Sequence, residues 1–438
     1  MINKLISSLL LLFFTHISNA TNSNTLIDNS IKSHPDVIQK ANEITLKGID
    51  IDQIFADDGL KVNLSTKTKL KIDEQGDNTS ENLARVEDLT RDYLDLEITL
   101  RKNLYDFGVV EYKLDAENNR KKALEIEFQQ IFEKTLQKLL NTVNDIARIN
   151  TVLGILNSSI VTATKSINEI KTRFTSGIGT VMDVRQAQLL LLDLETEVQV
   201  LNKEYEAKIT LLKNEFGISK SDISVVADKL EVFEKQLIAN QNGIAQMLNK
   251  TLYYPRSEKV IKLEKYALNS QIKVLESEDM PQLNANITSI VYDITRGSDE
   301  RQVYGGINLT MPLFDGGSSN VKKRGLTYKI KVQDDRLEAL NQEKLLELNK
   351  LTKKYQSLQI EYDSAQEKLT NLTEKLAHIT QRMAAADEGL LTKLQTQLQL
   401  AKTRRDLLIY PYSIQTLNID YWALSERLIE KAQINLIK

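Results

Sequence analysis

The most regular alternation in the chain runs from Leu60 to Ile72. Leu60, Val62, Leu64, Thr66, Thr68, Leu70 and Ile72 fall on one face of an extended strand; Lys61, Asn63, Ser65, Lys67, Lys69 and Lys71 fall on the other. A run of this length exceeds an ordinary globular strand and suits a tilted strand crossing a bilayer; a soluble sandwich strand is the alternative. The polar stretch from Asp73 to Asp88, with Gly76-Asp77-Asn78, reads as a loop. Leu94, Leu96, Ile98 and Leu100 then alternate with Asp95, Glu97, Thr99 and Arg101, so the two runs make a candidate hairpin. The second half of the chain repeats the pattern. Leu283, Ala285, Ile287, Ser289 and Val291 alternate with Gln282, Asn284, Asn286 and Thr288. Arg296-Gly297-Ser298-Asp299 is a turn, and Val303, Gly305, Ile307, Leu309 and Met311 alternate back.

Between and after the hairpins the period changes to that of helices. Ser33-His34-Pro35-Asp36 opens one, with proline in the first turn and an acid at its positive end. From Val109 to about Lys171, Leu136, Leu139, Leu140, Val143, Ile146 and Ile149 recur at helical spacing. Arg173 to Gly179 interrupts. Leu194, Val198, Leu201, Tyr205, Ile209, Leu212 and Phe216 then form a stripe that Gly217 ends. Val260, Ala267 and Ile272 resume a helical pattern after Tyr254-Pro255, and Met280-Pro281 ends it. The longest seam joins Leu348, Leu351, Tyr355, Leu358, Tyr362, Ala365, Leu369, Leu372, Leu376, Ile379 and Met383, spaced alternately 3 and 4, which is coiled-coil packing. Glu388-Gly389-Leu390 interrupts it, and Pro411 is expected to bend or break the helix that follows.

Strand and helix meet at one kind of junction. Leu309 to Gly317 reads Leu-Thr-Met-Pro-Leu-Phe-Asp-Gly-Gly, with Pro312 suited to the last part of a strand and Gly316-Gly317 to a sharp turn; Val321 is expected to open the long helix. Leu104-Tyr105-Asp106-Phe107-Gly108 is a similar join. The order helix, hairpin, helix, break, helix therefore occurs twice, as an internal duplication. The expected organisation is a signal peptide over 1–20 and a first repeat over 21–217, with its hairpin at 60–104 and a tip near 177–183. A linker follows over 218–251, then a second repeat over 252–438, with its hairpin at 282–313 and a tip near 389–395. Four two-faced strands cannot close a barrel alone, which implies closure by several chains.

Composition narrows the class. Lys4, the apolar run Ile6 to Phe14 and Ser18-Asn19-Ala20 have the form of a secretory signal, so the chain is expected to be exported. No later stretch reads as a transmembrane helix, so any membrane crossing falls to strands. A formal net charge of −3 from 57 basic and 60 acidic residues gives no basic footprint for nucleic acid. With no cysteine, thiol catalysis, cysteine metal sites and disulfides are excluded. His16, His34 and His378 are the only histidines and make no metal constellation. Gly316-Gly317-Ser318-Ser319 is neither a nucleophile elbow nor a phosphate loop. No catalytic residue, cofactor or metal is expected.

These features resemble the TolC family of outer-membrane efflux and secretion channels. The carriers are His34-Pro35 and Tyr254-Pro255 opening the halves, the Leu-Phe-Asp-Gly-Gly join at Leu313 to Gly317 with its copy at Leu104 to Gly108, and Arg173-Phe174-Thr175-Ser176-Gly177 followed by Asp183-Val184. The resemblance implies a mainly α chain with a small β part. Three chains would share one twelve-stranded outer-membrane barrel, four strands each, continued by a hollow periplasmic α-barrel. It implies an exit duct for efflux of small compounds or type I protein secretion in a Gram-negative bacterium. The duct would dock on a periplasmic adaptor and an inner-membrane transporter, with outer-membrane lipid around the barrel. By this resemblance Asp183 and Gln395 stand at the pore entrance, Gly177 and Gly389 at the adaptor-docking tip, and Pro312, Asp315, Gly316, Gly317, Asp106 and Gly108 at the strand–helix joins. The chain departs from the family pattern at Gln395, where an acid is usual, at Asn103, which replaces a proline, and at Phe107, which replaces a glycine. An exported coiled-coil fibre or adhesin is the alternative; it accounts for the heptads but not for the hairpins.

Overall fold

The computed structural model describes residues 23–69, 93–227, 255–292, 301–384 and 389–432, with 230, 294 and 434 besides. Outside them lie the signal segment, the loop from Asp73 to Asp88, Leu70 and Ile72, most of the 218–251 linker, Tyr254, the turn from Arg296 to Asp299, and Glu388. The elements in chain order are α1 (Ser23–Lys32), α2 (Pro35–Asp58), β1 (Lys61–Lys69), β2 (Tyr93–Tyr105), α3 (Val109–Thr175) and α4 (Val181–Phe216). A 3-10 turn (Lys220–Asp222) precedes α5 (Pro255–Glu278), β3 (Gln282–Val291), β4 (Arg301–Thr310), α6 (Ser318–Ala384), α7 (Leu390–Leu424) and α8 (Leu428–Lys431). The chain is mostly helical with one small sheet.

Two compact units divide these elements, and each takes segments from both halves of the chain. One comprises residues 40–127 and 256–340, the other 1–39, 128–255 and 341–438. The first contains the sheet. Its strands run in the order β1-β2-β3-β4, every neighbour antiparallel, with Leu64 opposite Ile98, Ile98 opposite Ser289 and Ser289 opposite Val303. A register shift between Asn103 and Tyr105 marks an irregularity at the end of β2. Beside the sheet, Ala123 and Ile126 of α3 pack on Val260 and Leu263 of α5. Lys40 and Lys47 of α2 reach across to Glu127 and Glu117 of α3 at 3.0 and 2.9 Å.

In the second unit the helical stripes become a core. Phe132, Leu136, Leu139, Leu140, Val143 and Ile146 of α3 are buried with Leu212 and Phe216 of α4, Ile419 and Trp422 of α7, and Ile27 and Ile31 of α1. Each such side chain contributes roughly 1.5–3 kcal/mol by leaving water. Truncating one to alanine costs about 2–5 kcal/mol. A separate cluster joins four helix ends: Ala163, Ile167 and Ile170 of α3, Ala187 of α4, and Leu390 and Leu394 of α7, with Met383 of α6 against them. The α6 seam behaves as a seam: all eleven positions from Leu348 to Met383 are buried or half-buried, and nearly every residue between them is exposed. Leu348 and Tyr355 meet Ile414 and Leu417 of α7.

Several expectations need correction. β4 stops at Thr310, two residues short of Pro312, which has no N–H to give a ladder. Helix α6 starts at Ser318 rather than Val321. Pro411 does not break α7, which is one helix from Leu390 to Leu424. A proline removes one intrahelical bond, and here packing on both sides carries the helix across: Tyr410 stacks on Tyr362 at 4.4 Å, and Ile414 and Leu417 are buried. Helix α3 does contain a stretch apolar enough, by length and composition alone, to cross a membrane. Val152, Leu156, Ala163 and Ile167 of that helix are buried, although only 33% of the apolar stretch is.

Candidate functional site

The pleat and register sort the sheet into two unlike faces. Val62, Leu64, Leu96, Ile98, Leu100, Ile287, Val303, Ile307 and Leu309 share one side. That side is open: Leu64 is 65% exposed, Ile307 66% and Leu309 69%. A soluble sheet would cover such a face. The other side carries Lys61, Asn63, Ser65, Lys67, Glu97, Thr99, Arg101, Asn286, Thr288, Gln302, Tyr304 and Asn308, with Ile290 as its apolar member. Its polar groups pair across strands: Lys67 with Glu97 at 2.8 Å, and the Asn308 amide donating to Asn286 at 3.1 Å. Within the described residues β1 and β4 each have a neighbour on one side only, so both edges of the sheet are open.

The joins below the strands are built twice from the same parts. At the first, Asp106 accepts the N–H of Gly108 at 3.0 Å and of Val110 at 2.8 Å. At the second, Asp315 accepts the N–H of Gly317 at 2.8 Å and of Ser319 at 2.6 Å. Each carboxylate thus caps the start of a 67-residue helix. The Ser319 and Gly317 bonds hold the Asp315 carboxyl down at about 2, from an ordinary 3.8. The residue after each aspartate is left-handed, φ +56 at Phe107 and +69 at Gly316, and so is the next, +90 at Gly108 and +83 at Gly317. Pro312 takes no part in this geometry; Leu313 and Phe314 beside it are almost fully exposed.

Two ion pairs that the sequence reading missed brace the same places. The Lys102 ammonium at the end of β2 meets the Asp58 carboxylate at the end of α2, at 2.9 Å. Lys323 and Ser319 of α6 meet Asp279, just after α5, at 2.9 and 3.0 Å, and these bonds keep the Asp279 carboxyl below its usual range. A third missed group is Glu133, a buried acid on the apolar side of α3 that accepts the N–H groups of Leu428 and Ile429 and so ties α8 into the core. An acid one position beside Phe132 in a core stripe was the available signal.

The residues expected at the tip lie at helix ends joined by the Ala163–Leu394 cluster. Gly177 has φ +79, and its N–H bonds the Phe174 carbonyl at 3.0 Å as α3 ends. Gly389 differs: its φ of −86 is open to any residue, and it is the N-cap of α7 without side-chain help. Asp183 belongs to a capping box, accepting from the Thr180 N–H at 3.0 Å while its own N–H donates to the Thr180 hydroxyl at 3.2 Å. Gln395 is exposed on α7. The structure thus brings Gly177, Asp183, Gly389 and Gln395 to the ends of α3, α4 and α7, three of the four helices that share one apolar cluster, whereas the joins belong to the other unit. Among the described residues no group of His, Asp and Glu is placed to hold a metal.

Comparison with known proteins agrees with this architecture. Residues 259–420 match the outer membrane efflux protein family. The outer membrane protein VceC of Vibrio cholerae superposes with a TM-score of 0.69 at 14% identity, over 94% of this chain and 95% of that one. CusC, described in the context of transmembrane channel formation, gives 0.73 at 14% identity, over 94% and 95%. The CmeC outer membrane channel of Campylobacter jejuni gives 0.70 at 13% identity, over 93% and 86%. No curated protein sequence matches the chain. By fold over nearly its whole length, and by sequence over residues 259–420, this chain is similar to outer-membrane efflux proteins.

Proposed function

We propose that the chain is one protomer of a trimeric exit duct. Three copies would pair β1 of one sheet with β4 of the next and close a twelve-stranded barrel across the outer membrane, with the helices continuing into the periplasm. The observation that carries this reading is the two-faced sheet with open edges: a dry exposed face suits lipid, a hydrogen-bonded polar face suits a water-filled lumen, and closure satisfies both edges. In this reading the two repeats are the structural halves of each protomer. Its work is passive: it gives small compounds, or a protein secreted by a type I route, an aqueous path, while an inner-membrane transporter supplies the energy and a periplasmic adaptor joins the two. Gly177 and Gly389 are assigned to the adaptor-facing tip, and Asp183 and Gln395 to the mouth of the duct.

The deciding experiment is electrophoretic migration of the detergent-extracted protein with and without heating. The reading expects a compact band of three chains that heating converts to monomer. A monomer under both conditions, in protein that remains folded by circular dichroism, would refute closure by three chains.

A further inference from the structure

We propose that the two edge helices next to the sheet carry opposite charge, so that the basic edge of α6 in one copy recognises the acidic edge of α2 in the next. The inference rests on the closure by three chains proposed above, and adds which helix faces meet and what sorts them. Lys40 and Lys47 tie α2 to α3, Ala123 and Ile126 of α3 pack on Val260 and Leu263 of α5, and Lys265 of α5 pairs with Asp334 of α6. The helices thus lie side by side in the order of the strands they join. Within the described residues α2 and α6 are the edges of this layer, as β1 and β4 are of the sheet. Residues 40–58 and 318–336 belong to one compact unit.

Each edge helix leaves a stripe bare on the side away from its neighbour. On α2, Leu46, Ile49, Gln53 and Ala56 recur at 3, 4 and 3 residues, while Lys40, Lys47 and the buried Ile51 hold the opposite side. On α6, Val321, Gly325, Tyr328 and Val332 recur at 4, 3 and 4, while Lys323 and Asp334, which reach Asp279 and Lys265, mark the opposite side. Leu46, Ile49, Val321, Tyr328 and Val332 are 56–66% exposed. The borders of the two stripes differ in sign. From Asp50 onward α2 has Asp50, Asp52, Asp57 and Asp58 and no base; from Ser318 to Val332 α6 has Lys322, Lys323, Arg324, Lys329 and Lys331 and no acid. By helical position Asp52 lies along one border of the α2 stripe and Asp50 and Asp57 along the other; Arg324 and Lys331, and Lys322 and Lys329, flank the α6 stripe. Pairing within the chain answers part of this charge: Asp50 with Lys47, Asp57 with Lys61, Asp58 with Lys102, and Lys323 with Asp279. Lys322, Arg324, Lys329, Lys331 and Asp52 are exposed and have no ion pair among the described residues. Because α2 leads into β1 and α6 follows β4, pairing β4 of one copy with β1 of the next sets these two stripes against each other. Apolar stripes with oppositely charged borders fit as the seam and flanks of a helix pair do. Two α6 edges, or two α2 edges, would repel, so the charges favour head-to-tail ring closure over back-to-back pairing.

The chain has no cysteine, so introduced thiols report on this contact alone. Ile49→Cys and Tyr328→Cys in one full-length chain, treated in membranes with a short bismaleimide, should give a covalent ladder of two and three copies on a denaturing gel. Either cysteine alone should give none. In parallel, D50K/D52K and K329E/K331E should each lower the dissociation temperature of the heat-modifiable band at low salt. Added salt should narrow that loss. The four substitutions combined should recover most of it, because every α6–α2 contact then again joins opposite signs. Wild type that migrates as monomer without heating refutes the three-chain reading itself. An unheated band of three chains leaves that reading standing while any of the following overturns the charged edge: no ladder from the cysteine pair, a ladder from one cysteine alone, crosslinks to a different protein, variants that dissociate like wild type, or a combined variant that recovers nothing.

Discussion

Asp106 and Asp315 hold one geometry in two halves of the chain: each accepts the backbone N–H two and four residues ahead, and each starts a helix of 67 residues. The Asp315 carboxyl is held at about 2 against an ordinary 3.8. Because the folded value is the lower one, its stabilising effect is complete above 3.8 and is lost as pH falls towards 2. Asp315→Ala should therefore melt below wild type at neutral pH, and the gap should close across that acid window. A gap that stays constant down to the bottom of the window would mean that the charge of the carboxylate contributes nothing to the cap.

The neighbouring residue gives a second prediction. Phe107 and Gly316 occupy the same left-handed step, and a Cβ built on Gly316 meets nothing within 4 Å. Gly316→Ala should cost about 1–2 kcal/mol through backbone conformation alone. Phe107→Gly should stay within roughly 1 kcal/mol of wild type, because relief at φ +56 is offset by glycine entropy and by loss of the edge-on Tyr105 contact at 4.7 Å. Thermal dissociation of the proposed trimer reads both. A harmless Gly316→Ala would show that the join tolerates another backbone path.

Leu64 and Asn63 are adjacent and face opposite sides of the sheet. Leu64→Arg should lower assembled protein in the outer membrane, at a cost of about 2–4 kcal/mol if the site lies near the midplane. Asn63→Arg should assemble normally. The check is the heat-modifiable band in membrane fractions, and similar yields from the two variants would remove the assignment of faces to lipid and lumen.

If Asp183 and Gln395 line the proposed mouth, Asp183→Asn should reduce cation preference in planar-bilayer recordings and Gln395→Asp should increase it. The asparagine keeps an oxygen for the Thr180 cap, so α4 should still start in place. Unchanged reversal potentials in both variants would take these two positions out of the constriction.

Strands and seams were legible because their signals are local. Alternation from Val62 to Thr68 needs no knowledge of distant residues, and neither does the 3-and-4 spacing from Leu348 to Met383. The joins were legible through their turn residues, yet the φ of Phe107 was not, since nothing local marks a phenylalanine as left-handed. What escaped depends on distant partners. Helix α1 is short, and only its burial of Ile27 and Ile31 in the core of α3, α4 and α7 explains it. The continuity of α7 through Pro411 comes from Tyr362 and Leu348 on another helix. Gly177 and Gly389 read alike in the sequence, and only the backbone angles separate a position that favours glycine from one that does not.

The open edges of β1 and β4 bear on how stability is to be measured. A sheet that is finished only by other copies of itself has no melting temperature of its own. In the proposed trimer, folding of the sheet and association are one equilibrium, so the transition shifts with the amount of protein in the membrane. A substitution that weakens the edge pairing would then show full effect at low expression and be masked at high expression. Comparisons between variants are meaningful only at matched abundance.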